Sequence, residues 1–159
     1  MYKRQTTILP HCDLVFSVPH ATFETPFTKI GVCPEFCSSV LFPQIMGPSL
    51  ATQVLFFGRK LTAQEAKDAR LVGEIIPAKT REEFLEEVYK QIRPSLAYLN
   101  SGRSMRFFKQ LVRNPKIIAE LEAVHRVEMA LLDERSAGAN SEAAQGVAAL
   151  QAQKKKAKL

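Results

Sequence analysis

Residues 8–47 read ILPHCDLVFSVPHATFETPFTKIGVCPEFCSSVLFPQIMG, a segment in which short apolar runs alternate with proline. The run DLVFSV (13–18) is rich in β-branched and aromatic residues and stops before Pro19, and ATFET (21–25) stops before Pro26. Runs of this length and composition predict two short strands. The apolar residues after position 38 suit a helix that packs on a core.

Strand and helix patterns continue to alternate before the chain becomes almost entirely helical. Pro48 begins the helical pattern PSLATQVLFF and Gly58 ends it, which is the usual asymmetry of the two residues. The tetrapeptides TAQE (62–65) and TREE (80–83) are capping boxes, and each predicts the start of a helix. The run EIIP (74–77) predicts a third strand.

The region 79–153 predicts helices only. Pro94 is predicted to break the helix that starts at the second capping box, another helix begins near Pro115, and a last one follows Asn140. The apolar stripes of the first two are Phe84, Leu85, Val88, Tyr89 and Ile92, and Ile117, Leu121, Val124, Val127 and Leu131. Such stripes normally pack inside their own chain. Because these helices form a block apart from the strands, packing against a partner subunit is the alternative.

Composition and charge exclude several classes of function. The chain has 159 residues, 46% hydrophobic and 24% charged, which predicts one globular domain or most of one. The net charge is +6, and four of these charges belong to Lys154, Lys155, Lys156 and Lys158, so they predict a solvated tail and no nucleic-acid partner. No apolar run approaches the roughly 18 residues that span a bilayer, and no secretory signal opens the sequence, so we predict no membrane partner.

The cysteines predict free thiols in a reducing compartment. Cys12, Cys33 and Cys37 are odd in number and follow no disulfide framework. The pair Cys33 and Cys37 is followed by no second pair, and the three histidines are scattered along the chain. We therefore predict that no metal is bound.

Glu35 is open to two interpretations. Gly31 permits close backbone approach, and Pro34 fixes the direction in which the chain enters Glu35. As a structural residue, Glu35 would lie at the start of the next helix, where a carboxylate is favoured by the helix dipole. As a functional residue, it would be desolvated by apolar neighbours, namely Phe23, Phe27, Ile30, Val32 and Phe36. Desolvation raises the pKa of a carboxyl group and makes it a competent general base near neutral pH.

Two segments, residues 8–47 and FGRKLTAQEAKDARLVGEIIP (57–77), resemble the enoyl-CoA hydratase/isomerase (crotonase) superfamily. The resemblance is strong over residues 7–78 and loose over the helical remainder. It implies an α/β fold, namely the C-terminal part of a crotonase-type ββα spiral core followed by a helical oligomerisation region. The expected parts are a partial core (1–78), a helical region (79–153) and a basic tail with a targeting signal (154–159).

Branches of the superfamily differ in the positions that carry a catalytic carboxylate, so these positions indicate the branch that this chain resembles. The spacing G-x-x-x-E, here Gly31 to Glu35, is similar to that of peroxisomal Δ3,Δ2-enoyl-CoA isomerases. The two glutamates of hydratases correspond to Thr7 and Phe27, and mitochondrial-type isomerases keep a carboxylate at the position of Phe27. Because neither side chain can abstract a proton, the resemblance implies isomerisation. The alternatives are a non-catalytic CoA-binding or assembly domain of the chromodomain-linked type, and a hydratase.

The resemblance also implies the residues and partners of the site. Glu35 would be the catalytic base, and the substrate-binding residues would be Phe23, Phe27, Ile30, Gly31 and Phe36. No cofactor is expected, since an acyl-CoA substrate itself carries coenzyme A. The expected assembly is a homotrimer or a trimer-based oligomer, built through the helices after residue 79.

The two ends of the sequence carry further expectations. The resemblance implies that the N-terminal part of the family pattern, with one oxyanion donor and the CoA-gripping loop, is absent, so that the chain alone is inactive. The second donor corresponds to Arg4, which lies within MYKRQ (1–5). This pentapeptide resembles a translated sequencing adapter, and the alternative is a genuine alternative start of the protein. The end AKL (157–159) is a close variant of the S-K-L address, which predicts the peroxisomal matrix and the peroxisomal import receptor as a partner.

Overall fold

The computed structural model describes residues 6–97, 102–138 and 141–156. Arg4, the rest of MYKRQ and the AKL end lie outside these residues. The elements in chain order are a 3-10 helix (Thr6–His11), β1 (Phe16–Ser17), β2 (Thr22–Phe23), a second 3-10 helix (Thr28–Ile30), α1 (Ser38–Met46), α2 (Pro48–Leu55), β3 (Leu61–Thr62), α3 (Ala63–Asp68), β4 (Glu74–Ile75), α4 (Arg81–Ala97), α5 (Gly102–Val112), α6 (Pro115–Ser136) and α7 (Glu142–Lys156).

The strands form two pairs. β1 runs parallel to β4, with Phe16 opposite Glu74, and β2 runs antiparallel to β3, with Phe23 opposite Leu61. All three predicted strands are present, but each is two residues long. They are shorter than predicted, and among the described residues each strand pairs with one neighbour.

The hydrophobic core joins the first three α-helices to β3. Its buried residues are Phe27, Phe42, Ala51, Val54, Leu55, Leu61, Ala66, Leu71 and Val72. Phe42 of α1 and Leu61 of β3 are 0% exposed, so the predicted helix after residue 38 does pack on the core. Inside it, the Thr25 hydroxyl donates a hydrogen bond of 2.8 Å to the carbonyl of Val54, which satisfies a buried polar group.

The predicted helix starts are confirmed, and one predicted stop is wrong. In the first capping box the Thr62 hydroxyl accepts from the Glu65 amide at 3.2 Å, and the Glu65 carboxylate accepts from the Thr62 amide at 2.8 Å. The second box makes the equivalent contact between Thr80 and Glu83. Pro94 does not break α4, which continues to Ala97. A proline removes one intrahelical hydrogen bond, and at an exposed position three residues from the helix end this loss does not stop the helix.

The predicted apolar stripe of α6 is only partly covered within one chain, where Leu121 and Val124 are half-buried. Ile117, Val127 and Leu131 are 39%, 62% and 46% exposed, whereas Glu128 is 4% exposed. The helix turns a face that includes Leu121 and Glu128 toward the rest of the chain. Periodicity did not include Glu128 in this face because it weighs only apolar burial, and the buried carboxylate is held by hydrogen bonds. Packing of the exposed stripe residues against a partner subunit stays a prediction.

The last helix, α7, packs closely on the second 3-10 helix through two glycines. A Cβ atom on Gly146 would lie 2.5 Å from the carbonyl carbon of Ile30, and one on Gly31 would lie 2.6 Å from the carbonyl oxygen of Glu142. An ion pair between Arg135 and Glu142 links α6 to α7. The helices after residue 79 therefore contact the predicted core directly, whereas the predicted boundary between the two parts stays a prediction.

We expect Gly146→Ala to lower the free energy of unfolding by about 1–3 kcal/mol, since a methyl group cannot fit against the Ile30 backbone. Thermal unfolding of the 159-residue chain followed by circular dichroism measures the change. The control is Gly102→Ala, because a Cβ there meets nothing within 4 Å and alanine favours helix. A Gly146→Ala protein as stable as the Gly102→Ala protein would contradict the close packing.

Candidate active site

Residues 31–37 form a loop that joins the second 3-10 helix to α1. Its last two residues, Phe36 and Cys37, have left-handed backbone conformations, with φ of 54° and 56°. Residues other than glycine are sterically strained in this region, so neighbouring groups have to hold them there. Glu35 directly precedes this pair, and its carbonyl accepts a hydrogen bond of 3.1 Å from the Ser38 amide. The direction of the Glu35 side chain therefore depends on what holds the pair.

The carboxyl group of Glu128, on α6, provides one of these contacts. Its Oε2 atom accepts a hydrogen bond of 2.7 Å from the Cys37 amide. Its Oε1 atom accepts from the Ser39 amide at 3.1 Å and from the Ser39 hydroxyl at 2.6 Å. The first amides of a helix lack intrahelical acceptors and carry partial positive charge, so a buried carboxylate is stabilised there. Glu128 thus caps α1, a role that the side chain of Cys37 does not fill.

His11 provides a second contact with the loop. Its Nε2 atom lies 2.8 Å from the carbonyl oxygen of Phe36, so this nitrogen is the one that donates. The His11 and Phe36 rings meet edge to face with centroids 6.4 Å apart. Arg113, in the turn after α5, in turn donates to the carbonyl oxygen of His11 at 2.7 Å. The turn after α5 and helix α6 therefore support the two strained residues, the turn through His11 and the helix directly.

Glu35 itself is half-buried. Burial raises the pKa of its carboxyl group above the ordinary glutamate value, and the nearby negative charge of Glu128 raises the pKa further. Glu35 also lies just before α1, as its structural interpretation expects, but the amides of Cys37 and Ser39 at that helix start donate to Glu128. A carboxyl group with a raised pKa can exchange a proton with a substrate near neutral pH.

The predicted aromatic substrate-binding residues have different surroundings. Phe36 follows Glu35 in the same loop and is half-buried against His11. Phe27 belongs to the hydrophobic core and is 6% exposed, and Phe23 packs against that core from β2. The structure thus brings Phe36 together with Glu35, while substrate contact by Phe27 and Phe23 stays a prediction.

Ile30 and Gly31, the other two predicted substrate-binding residues, lie beneath α7. Gly31 has φ of +68° and caps the second 3-10 helix. The close backbone approach that the sequence predicts at Gly31 is made by Glu142 of the same chain. Contact of either residue with a substrate stays a prediction.

The thiols next to Glu128 are weak nucleophiles. Burial raises the pKa of Cys33 and of Cys37, and the charge of Glu128 acts in the same direction on both. Cys37 donates to the carbonyl of Leu121 at 3.2 Å. In the part of the chain that the structure describes, no three His, Cys, Asp or Glu side chains group closely enough to hold a metal ion. The helices in the same ranges include none long and apolar enough to cross a membrane.

Two open clefts lie elsewhere on the described surface. One of about 590 Å³ is lined by Ile45 of α1, Leu50 of α2 and Asp68 of α3 and by Arg59, which lies between α2 and β3. Another of about 490 Å³ has Leu9 and Gln91 among its lining residues. Glu35 lines neither, so neither cleft is evidence for an acyl-CoA pocket at this carboxyl group.

The sequence pattern of the enoyl-CoA hydratase/isomerase family matches residues 7–157. The chain belongs to this family. The crystal structure of enoyl-CoA hydratase/isomerase from Pseudoalteromonas atlantica T6c superposes on it with a TM-score of 0.79 and 32% identity, over 93% of this chain and 56% of that one. The predicted fold, the C-terminal part of a crotonase α/β core followed by helices, is confirmed.

Similar proteins within the family carry different names. Enoyl-CoA delta isomerase 3, peroxisomal, of Mus musculus is 43% identical over 107 residues, which cover 67% of this chain and 32% of the mouse protein. Testis-specific chromodomain protein Y 1 of Homo sapiens is 37% identical over 125 residues, which cover 79% of this chain and 20% of the human protein. The chain therefore spans less than half the length of these relatives.

Within this enoyl-CoA hydratase/isomerase chain, sequence reasoning missed Glu128. The available signal was a carboxylate seven residues after Leu121, on the same helical face as Val124. Thr7, the first of the two positions expected to hold a hydratase glutamate, is 2% exposed. Its hydroxyl and that of Ser38 are buried with no hydrogen-bond partner among the described residues.

We expect Glu35→Gln to make the fold more stable at about pH 8 and to lose this advantage below the ordinary glutamate pKa of 4.5. Because the folded-state pKa of Glu35 is raised, its ionised form opposes folding, so wild-type stability falls as the pH rises through that pKa. Glutamine carries no charge and escapes this loss. Denaturant unfolding at several pH values measures the difference, with exposed Glu122→Gln as the control. A difference that does not change with pH would contradict the desolvated carboxyl group.

Proposed function

We propose that the protein is a Δ3,Δ2-enoyl-CoA isomerase of fatty acid β-oxidation, with Glu35 as its single catalytic base. The observation that carries the proposal is the half-buried carboxyl group of Glu35, whose pKa is raised by burial and by Glu128. Thr7 and Phe27 stand where hydratases are expected to hold their glutamates, and neither can take a proton. A relative named as a peroxisomal delta isomerase supports the same assignment.

The proposed reaction moves one proton along the acyl chain. The Glu35 carboxylate removes a proton from C2 of a 3-enoyl-CoA thioester, and the electron pair of that C–H bond delocalises onto the thioester oxygen as a dienolate. When the pair returns, C2–C3 becomes the double bond and the former C3–C4 π electrons take the proton back from Glu35 at C4. The base is regenerated, so no cofactor is proposed beyond the coenzyme A that the substrate carries.

The dienolate oxygen needs backbone N–H donors. One such donor in an oxyanion hole contributes about 2.7–4 kcal/mol to the transition state. The expected position of one donor, Arg4, lies outside the described residues. Because the match to the mouse isomerase covers 32% of that protein, we propose that the 159-residue chain has no isomerase activity alone and that the longest form of the protein does.

The partners and location extend the same proposal. We propose an acyl-CoA substrate, a homotrimer or trimer-based assembly of the longest form, and import into the peroxisomal matrix through a receptor that binds AKL (157–159). Nucleic acid and membrane are not among the proposed partners. The word peroxisomal in the name of the mouse relative supports the location.

A non-catalytic CoA-binding or assembly domain is the second candidate. Its support is the similarity to testis-specific chromodomain protein Y 1. Glu35 argues against it, because a binding domain does not need a carboxyl group that burial makes costly to ionise. A hydratase, the third possibility, is disfavoured at Thr7 and Phe27.

We expect Glu35→Gln in the longest form of the protein to lower kcat for 3-enoyl-CoA isomerisation by at least about 100-fold while acyl-CoA still binds. A spectrophotometric assay on 3-enoyl-CoA, with 2-enoyl-CoA hydration run in parallel, separates isomerase from hydratase. In the wild type, kcat/KM should fall as the pH drops through the raised pKa of Glu35, because the base must be ionised. Exposed Glu122→Gln is the control, and near-normal turnover by Glu35→Gln would defeat the assignment.

A further inference from the structure

Glu128 reaches the catalytic loop from a helix more than ninety positions away in the sequence. Three hydrogen bonds join its carboxylate to Cys37 and Ser39, which lie two and four residues after Glu35. We propose that Glu128 is a positioning residue that fixes the direction in which the loop presents Glu35 to the substrate. This inference rests on the proposed function of Glu35 as the base.

The loop needs such a contact because of its backbone. Phe36 and Cys37 both have positive φ, and a strained pair of this kind persists only where surrounding groups hold it. The Cys37 amide is one end of the strained pair, and Glu128 binds it at 2.7 Å. If that amide were released, Cys37 could relax to negative φ, and this change would rotate the chain that carries Glu35.

Burial makes the contact specific. Glu128 is 4% exposed and is the one residue of α6 with so little exposure among the described residues of that helix. Each of its two oxygens accepts separate hydrogen bonds: Oε2 accepts from the Cys37 amide, and Oε1 accepts from the amide and the hydroxyl of Ser39. A glutamine side chain at position 128 would have only one acceptor oxygen. Its NH₂ group would then face one of the two backbone amides, which is also a donor.

The same carboxylate also acts on Glu35 through space. Its negative charge favours the protonated form of Glu35 and so raises the pKa of that group. The other titratable and charged groups near the loop are the thiols of Cys33 and Cys37, Arg135 near Cys33, and His11 on the carbonyl of Phe36. Removing the charge of Glu128 should therefore lower the pKa of Glu35, and this change reports how near the two carboxyl groups lie.

The test compares Glu128→Gln with Glu128→Asp and with exposed Glu122→Gln on the same helix. In the longest form of the protein, kcat and KM for 3-enoyl-CoA are measured across the pH range, together with the melting temperature. For Glu128→Gln we expect kcat to fall about 10- to 100-fold, with KM within about twofold, because the base is misplaced and binding is not. The acidic limb of kcat/KM should move to lower pH.

The Glu128→Asp variant separates the effect of the negative charge from the effect of side-chain length. It keeps the negative charge, so the acidic limb should stay at the wild-type pH, while its shorter side chain leaves kcat between the wild type and Glu128→Gln. Ser39→Ala removes one hydrogen bond without touching the charge and should lower kcat a few-fold. If Glu128→Gln does not fold, an unchanged kcat in Ser39→Ala overturns the proposal.

Two other outcomes also overturn it. One is a Glu128→Gln protein with the kinetics and pH profile of Glu122→Gln. The other is a kcat of Glu128→Gln that returns to the wild-type value at temperatures well below its melting temperature, which would leave Glu128 a structural cap only. Amide hydrogen exchange on the 159-residue chain tests the loop without any turnover, and unchanged protection of the Cys37 and Ser39 amides in Glu128→Gln counts against the proposal. Isomerisation by Glu35→Gln would instead remove the proposed function and leave that exchange result intact.

Discussion

A buried carboxylate at the first turn of α1 connects the two parts of this chain. Glu128 accepts hydrogen bonds from two backbone amides and one hydroxyl, and all three donors lie within the first turn or its cap. Hydrogen bonds to a charged group contribute roughly 1.5–3 kcal/mol each. The left-handed conformation of Phe36 and Cys37 costs roughly 1–2 kcal/mol per residue. The three hydrogen bonds together are therefore comparable in size to the strain of the two loop residues.

The neighbouring carboxyl groups of Glu128 and Glu35 have different surroundings. Glu128 is buried but surrounded by donors, which suits an acceptor that stays in place. Glu35 is desolvated and faces the negative charge of Glu128, so its proton is held more tightly than in water. One environment favours a fixed contact, and the other favours a group that gains and loses a proton. That division is the chemistry expected of a base on a loop that a separate residue holds in place.

Membership of the enoyl-CoA hydratase/isomerase family does not by itself assign a reaction. Relatives of this chain carry the names of a peroxisomal isomerase and of a chromodomain protein, and both share its fold region. A fold supports many functions, and the site residues decide among them. The two positions on which the proposed isomerisation depends are Glu35 and Phe27. Phe27 lies in the core and has no acid–base chemistry, so Glu35 is the proposed base.

Much of the fold followed from patterns within a few residues of each other. Proline-bounded β-branched runs located β1, β2 and β4, although no strand was predicted at β3. The threonines of two capping boxes located the starts of α3 and α4, because these signals act between groups three or four residues apart. Pro94 was misread since the local rule omits the solvent exposure of the helix end. Glu35 could be singled out from its apolar neighbours and the resemblance to the family.

Tertiary structure alone decided what surrounds that carboxyl group. The bond between Glu128 and Cys37 joins residues 91 positions apart, and the packing of Gly146 on Ile30 joins residues from opposite ends of the described chain. No periodic pattern reports such contacts, because they depend on where helices meet after the core has formed. The sequence by itself determined most of the elements, the family and the choice of Glu35 as the candidate. Long-range packing and electrostatics decided the strained backbone before α1, its hydrogen bonds to Glu128 and the raised pKa of Glu35.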